Sequence, residues 1–386
     1  MLVERNRCTG CMACYNACHT NSIRLVETDD SLHQFPEINN ETCINCGQCE
    51  RVCVPLHKEL LKKEELYTEH YFCAWDKDNQ SRSLSTSGGV ASALARFAIS
   101  NGYYVAGAAF DEKWHLEHIV SNDESVVEKL RGSKYLLSDT KSIYREIRAL
   151  LVGGGKVLFF GTPCEISALN ALVPPALKNN LVTCGIVCHG VNAPIVWKDF
   201  VNYLNNKYKS KLKTYNFRSK SKGWGKLQIS FSFENGKFVD QPAYKNLFHV
   251  WFGKHYILRE SCMNCIFRTQ ERYSDIAIGD FWGIEKINPD LSDKRGVSVL
   301  IIASEKGEKF VNSITNVTMI ETDSLKTPNV LKGYLPTNLE SKNEEERAKI
   351  FARNYHTKSF DEMKTLYPSI TFMDRVIDFV KCRFKL

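Results

Sequence analysis

Eight cysteines in two short runs are the residues of this chain best suited to chemistry. The first run, "CTGCMACYNACH", sets Cys8, Cys11, Cys14 and Cys18 at the spacing C-x2-C-x2-C-x3-C. The second, "CINCGQCERVCVP", repeats that spacing with Cys43, Cys46, Cys49 and Cys53. A zinc site presents paired C-x2-C knuckles with a longer gap between the pairs. Three cysteines at consecutive two-residue gaps instead wrap one face of a four-iron cubane, and in the bacterial two-cluster arrangement the fourth thiolate comes from the other run. The spacing therefore predicts one [4Fe–4S] cluster on Cys8, Cys11, Cys14 and Cys53, and a second on Cys43, Cys46, Cys49 and Cys18. His19 and Pro55 depart from the proline that usually follows such a run, but neither change removes a ligand.

Elements must hold these loops in place. Between the runs, "SIRLVETDDSLHQFPEIN" reads as two short strands around an Asp-rich turn. This two-cluster module is expected over residues 1–60. The charged "LHKELLKKEELYTEH" reads as a connecting helix, with 61–70 as the linker. From Tyr71 onward, "YYVAGAAF", "KVLFFG", "LVTCGIVC", "IAIGDFW" and "VSVLIIAS" alternate with helical patterns, which predicts an α/β domain over 71–335. Ligand sites in open α/β sheets gather where such strands end, and the polar motifs fall there.

"STSGGVASALARFAIS" is a small-residue loop opening an amphipathic helix; Ser87, Gly88 and Gly89 would leave backbone N–H groups free for a phosphate, or form an ordinary helix cap. Gly132, Ser133 and Lys134 in "LRGSKYLLS" offer a second phosphate contact or a plain turn. Gly153–Gly155 precede a strand, whereas a phosphate loop follows one, so they read as a turn. Cys164, in "GTPCEISAL", stands behind a strand at the start of a helix, where a thiolate is favoured. Cys188 ends the next strand, and Cys262 with Cys265 forms a C-x2-C pair. These four make a possible third thiolate set. Alternatively, Cys164 is a redox-active nucleophile and Cys262 with Cys265 a zinc knuckle. No Ser/His/Asp triad stands out, and the catalytic residues stay unassigned.

The chain has 386 residues, enough for two or three domains with a core that needs no disulfides. Fifteen cysteines without an apolar signal segment point to the cytoplasm and to metal or redox chemistry. No apolar run reaches the length of a membrane span. The net charge of +7 is concentrated in residues 207–226, "KYKSKLKTYNFRSKSKGWGK", which hold eight Lys/Arg and no acid. This is either a solvated basic surface loop or strand pair, or a collar for a polyanion. Tyr208, Tyr215, Phe217 and Trp224 interleave with the charges, which raises single-stranded nucleic acid, but the electron-transfer features outweigh it and no nucleic-acid partner is expected. The tail over 336–386 is read as helical. Phe372, Val376, Val380 and Phe384 at helical spacing predict a helix packed on its own domain, with a weak membrane-surface contact as the alternative.

The ordered series "STSGG", "LRGSKY", "GTPCEISAL", "CHGV", "FRSKSKGW", "LRESCMNC" and "SDIAIGDFWGI" resembles the beta subunit of coenzyme F420-reducing hydrogenase and its relatives. The resemblance covers roughly residues 1–335. It implies an iron–sulfur flavoprotein of α+β class: a ferredoxin-like N-terminal module followed by an α/β flavin-binding catalytic domain. It implies FAD beside a third [4Fe–4S] cluster at Cys164, Cys188, Cys262 and Cys265, with Cys184 as a possible substitute for Cys188. It also implies hydride exchange with coenzyme F420 or another two-electron partner. Ferredoxin or another electron donor, a small-molecule hydride acceptor or donor, and a redox subunit of a larger complex are the expected partners. Arg218, Lys220 and Trp224 match the family's "FR-K-GW" pattern. Arg218 and Lys220 are expected to meet a phosphate or carboxylate, and Trp224 to offer a wall to a ring. Asp280, in "GDFWG", is expected to orient the flavin, to stand in as a ligand, or to be a turn residue.

Overall fold

The computed structural model describes residues 2–61, 67–268, 272–323, 327 and 342–369. The N-terminal part is built on one hairpin, β1 (Ile23–Thr28) and β2 (Ser31–Ile38), whose antiparallel register runs from Ile23↔Ile38 to Thr28↔Ser31. Two short helices, Ala13–Ala17 and Gln48–Arg51, follow the two cysteine loops. Its own core is small: Phe35 is packed with Val3 and Cys8, and Cys53 and Leu56 close against them. The other side is buried on the rest of the chain, where Ala13, Ala17 and Val52 join a cluster with Ile143, Phe159 and Ile166.

The large sheet has eight strands: β3 (His70–Asp76), β4 (Tyr103–Phe110), β5 (Leu116–Ser121), β6 (Lys156–Gly161), β7 (Leu181–Ile186), β11 (Ile276–Asp280), β12 (Ser298–Ile302) and β13 (Val317–Glu321). Their order is β13-β3-β12-β11-β7-β6-β4-β5. The run β11-β7-β6-β4 is parallel, and β12 lies antiparallel between β3 and β11. The carboxyl ends of β3, β11, β7, β6 and β4 therefore share one edge. Helices cover both faces, so the central strands are apolar on both sides. Leu158, Val182 and Leu300 face one core, whereas Val157, Phe159 and Leu181 face another, the alternation that a two-residue period requires.

A second sheet, β8 (Leu212–Ser219), β9 (Gln228–Phe233) and β10 (Phe238–Pro242), packs its Phe217, Ile229, Phe231 and Phe233 on the helix Pro194–Tyr208. The helices Lys342–Thr357 and Phe360–Leu366 complete this aromatic core with Phe351, Tyr355 and Met363. Trp251 Nε1 donates to Tyr367 O at 2.7 Å, and His356 Nε2 lies 2.9 Å from Ser31 O in β2.

Of the connecting helix expected over 56–70, the described residues show one 3-10 turn at Lys58–Leu60 and the start of a strand at His70. Residues 62–66 lie outside the described residues. So does the helix expected around Phe372, Val376, Val380 and Phe384, together with Cys382. Among the described residues no helix is long and apolar enough to cross a membrane.

Candidate iron–sulfur and cofactor site

The two cysteine loops share an unusual backbone. Gly10 and Met12 have φ of +72° and +61°, and Asn45 and Gly47 have +54° and +69°. Left-handed residues at the same two places in each loop turn successive N–H groups inward, the concavity that binds anionic groups and iron–sulfur clusters. Cys14, Cys53 and the first loop stand together. Burial pushes the Cys14 thiol far up, and the charges of Cys11, Cys8 and Cys53 add to it. Burial pushes Cys53 up to about 11, with Cys11 and Cys8 contributing. Cys18 belongs with the other loop: burial and Glu50 raise Cys49, and so does Cys18. Burial would raise Cys18 too, but Thr20 and Ser22 hold it below the usual thiol range; the Ser22 N–H donates to its Sγ at 3.2 Å.

The two sets differ in exposure. Cys8 is buried, and Cys11 packs on the core that holds Ile143 and Ile166. Cys46 is exposed, and its neighbour Ile44 is 68% exposed. The inner set is clamped by Arg259, which is fully buried. Its Nε donates to Cys8 O at 2.7 Å, Nη1 to Gln34 O at 3.1 Å and Nη2 to Cys8 Sγ at 3.4 Å, and its Cζ lies 4.6 Å from the Phe35 ring centroid. Arg145 fixes the other side through the carbonyls of Tyr15, Asn16 and Cys18.

Cys164 follows β6 and Cys188 follows β7, on adjacent parallel strands. Cys188 is raised by burial, then by Cys262, Cys265 and Glu165. Cys164 is raised by burial, then by Glu165 and Cys11, with Cys265 contributing. Cys164, Cys188, Cys262 and Cys265 are thus near enough to influence one another's titration, with Cys11 among the neighbours of Cys164. Burial and the neighbouring Glu165 push the Cys164 thiol up, opposite to the lowering expected of a helix N-terminus. Cys184 is fully buried on β7 and faces the core on the opposite side of the sheet. Cys73 is buried in β3. Among the described residues, no group of three or more His, Cys, Asp or Glu closes about a single metal ion.

Beside Cys188, the end of β11 brings Asp280 into place. Its Oδ1 accepts from Trp224 Nε1 at 2.8 Å and its Oδ2 from Arg218 Nη1 at 3.2 Å. Arg218 Nη1 also donates to Tyr135 OH at 3.1 Å, and its Cζ lies 5.1 Å from the Trp282 ring centroid. Its Nη2 is buried without a partner. Trp224 and Trp282 stack in parallel at 4.5 Å. The glycine motifs meet here: Lys220 Nζ donates to the carbonyls of Arg82, Ser87 and Arg295, and the Ser133 N–H donates to Thr86 Oγ1 at 2.9 Å.

The comparisons with known proteins decide the family. Residues 71–144 match the N-terminal part, and residues 154–328 the C-terminal part, of "Coenzyme F420 hydrogenase/dehydrogenase, beta subunit". The chain belongs to this family of coenzyme F420 hydrogenase/dehydrogenase beta subunits. Residues 7–55 match the 4Fe-4S dicluster domain, which accounts for both cysteine loops. The F subunit of the F(420)H(2) dehydrogenase of Methanosarcina mazei is 22% identical over 196 residues, 48% of this chain and 54% of that protein. The coenzyme F420-dependent sulfite reductase of Methanocaldococcus jannaschii is 25% identical over 328 residues, 81% of this chain and 47% of that protein. The chain spans about half the length of these relatives. A solved structure of the F420-reducing [NiFe] hydrogenase complex from Methanosarcina barkeri aligns with 19% identity and a TM-score of 0.46, over 80% of this chain and 94% of that one.

In this family member several expected cofactor contacts are already engaged. The Gly88 N–H donates to Ser298 Oγ at 3.0 Å, and Ser87 Oγ donates to Val297 O at 2.6 Å. Lys134 Nζ caps the carbonyls of Leu130, Arg131 and Gly132, and burial pulls its pKa down to about 7. Burial also pulls Lys220 down to about 7, with Arg82 adding to the shift. The ammoniums and two of the small residues are therefore taken up by the chain's own polar groups. The helix Val90–Ser100 starts at Gly89 (φ +84°) with no capping side chain and no acid in its first turn, so its N–H groups stay suited to an anion. Tyr135, Trp282 and Arg259 are site residues that spacing alone does not single out. They do carry a signal, since they sit inside the motifs "LRGSKY", "GDFWG" and "LRESCMNC".

Proposed function

We propose that the chain is an iron–sulfur flavoprotein oxidoreductase that exchanges electrons between a one-electron donor and a two-electron substrate, coenzyme F420 in the first instance. The observation that carries this reading is the order of the thiol sets. Cys18 and the loop with Cys43, Cys46 and Cys49 face outward. Cys8, Cys11, Cys14 and Cys53 face the body of the chain, and Cys164, Cys188, Cys262 and Cys265 lie next, beside Asp280 and Arg218. Each set suits one [4Fe–4S] cluster. The uncapped start of helix Val90–Ser100 suits the phosphates of FAD, and the Asp280–Arg218–Trp224 constellation suits its ring, with Gly132 and Ser133 beside it.

When bound, the clusters would carry single electrons and FAD would exchange a hydride, so the two together link one-electron and two-electron partners. The chain's own part is positional. Arg259 and Arg145 hold the inner loop against the body. Asp280 orients Arg218, whose Nη2 stays buried and unpartnered and would be available to an electron-rich atom. Trp224 and Trp282 supply a flat apolar wall, and Lys220 locks the loop of Ser87 against that wall. Anaerobic purification followed by iron, sulfide and flavin assays tests the reading. About twelve iron and twelve sulfide per chain, with one flavin, are expected, since each cubane carries about four of each. About eight iron would remove the third cluster, and absence of flavin would remove the FAD assignment.

A second reading is favoured by the length comparison: most of this chain corresponds to only about half of the sulfite reductase. In that reading the chain is the electron-input subunit of a larger complex, and the final reduction takes place in a partner redox protein. Turnover of F420 with a dye by the purified chain alone supports the first reading; strict dependence on an added partner supports the second.

A further inference from the structure

The junction between the inner cysteine loop and Cys164 contains a hydroxyl that the fold leaves unused. Tyr144 lies at the start of the helix Ile143–Val152, is 1% exposed, and packs edge-on against Phe159 with centroids 6.1 Å apart. It belongs to the core cluster that also holds Ala13 and Ala17 from the first cysteine run and Ile166 and Ala168 from the helix of Cys164, with Cys11 packed on it. Its hydroxyl oxygen is excluded from solvent and has no close hydrogen-bond partner. The Thr140 hydroxyl beside it is also buried and bonds weakly to the phenol oxygen, so it is the phenol proton that lacks an acceptor. A buried hydroxyl without a partner costs about 1–3 kcal/mol, so its persistence calls for an acceptor. Burial raises its pKa; Glu165, Cys11 and Cys164 act on it in the same direction, and Thr140 acts against them through a hydrogen bond. A phenol has one O–H to donate and an oxygen that can also accept.

We infer that Tyr144 donates a hydrogen bond to a sulfur of the cluster held by Cys8, Cys11, Cys14 and Cys53, and so raises that cluster's reduction potential relative to its outward neighbour. The inference rests on the cluster assignment proposed above. Hydrogen bonds to cluster sulfurs set potential, because each added electron makes the sulfurs better acceptors. Here one electron enters, the proton stays on Tyr144, and the bond strengthens. Thr140 is placed to donate to the phenol oxygen in turn. The consequence is a step in potential at the point where electrons pass between the ferredoxin-like module and the body. Tyr144 is thus a positioning residue acting on the cluster, and no bond is made or broken at it.

The test uses the full chain with its clusters, wild type and Tyr144→Phe, in an EPR-monitored titration with dithionite. Iron and sulfide should be unchanged. One cluster should become about tenfold harder to reduce, a fall of about 59 mV for a one-electron couple, while the others stay put. Tyr104→Phe, in the same core, should shift none. Electron–nuclear double resonance on the reduced wild type should show an exchangeable proton, lost in D2O and in Tyr144→Phe. A shift below about twofold in every cluster overturns the inference. If the variant loses iron, the wild-type resonance experiment decides alone: no exchangeable proton coupled to a cluster overturns it. A preparation without cubane signals refutes the cluster assignment and the inference with it, and is told apart by its iron count.

Discussion

Replacing Arg259 with alanine should release the ferredoxin-like module from the body without unfolding the large sheet. The side chain is fully buried and gives two hydrogen bonds to main-chain carbonyls, those of Cys8 and Gln34, and a third to Cys8 Sγ. Truncation leaves the buried Cys8 carbonyl without its charged donor and removes the part-buried bond to the Gln34 carbonyl. At about 1.5–3 kcal/mol for each bond from a charged donor, the two carbonyls together lose roughly 3–6 kcal/mol. The cation–π contact with Phe35 and the volume left by the guanidinium add to that. Amide exchange is the suitable assay, since the loss is local: amides of the hairpin Ser31–Ile38 should exchange at least about 100-fold faster, taking about 1.4 kcal/mol per factor of ten. Amides of Leu158–Phe160 in the central sheet should be unchanged. Arg259→Lys should recover only part of the protection, because an ammonium cannot span the three acceptors with fixed geometry. If hairpin exchange in the alanine variant rises by less than about fivefold, the clamp is not what holds the module.

Cys184→Ala should leave the iron content of the protein unchanged, because its thiol faces the core on the opposite side of the sheet from Cys164, whereas Cys188→Ala should lower it by about four iron per chain. His33 is buried with its Nε2 3.3 Å from Ile257 O, and burial, aided by Arg259, pulls its pKa down to about 3. Unfolded, it titrates near 6.5, so the unfolded state binds the extra proton first, and stability falls as pH drops from 6.5 toward 3. At pH 4.5 the loss from this residue is roughly 2–3 kcal/mol by denaturant midpoint, and His33→Leu should remove that part of the pH dependence. Ending the chain at residue 341 strips Phe351, Tyr355 and Met363 from the aromatic core and leaves Trp251 uncovered. At about 1.5–3 kcal/mol per large side chain, roughly 5–9 kcal/mol is lost, and the truncated chain should not yield folded protein by circular dichroism.

Strands were legible where burial on both faces made them continuous apolar runs. "YYVAGAAF" and "KVLFFG" coincide with β4 and β6 at both ends. The basic stretch that holds β8 reads as a surface loop or a strand pair, whereas β9 and β10 are not singled out, although "QISFSF" alternates cleanly, because charge dominates their neighbour. The placement of β12 between β3 and β11 could not be read, since it depends on contacts between segments far apart in the chain. The same division holds at the site. Cysteine spacing is local and announces its chemistry. The joining of Arg218 and Trp224 through Asp280 spans about sixty residues and needs β11 to lie beside β7. Lys220 was expected to meet an anion; its three carbonyl partners come from Arg82, Ser87 and Arg295, none close to it in sequence.

The helix Lys342–Thr357 reaches back to the first hairpin, where His356 meets Ser31 across 325 residues. A ribosome adds about 5–20 residues per second, so roughly 16–65 seconds separate the emergence of these two partners. Early in that interval the cysteine loops are already out of the exit tunnel, while the surface that will bury Ala13, Ala17 and Val52, which ends at Leu181, is incomplete. Access to the nascent module thus narrows in two stages, first when that surface forms and again when the last helices reach the hairpin.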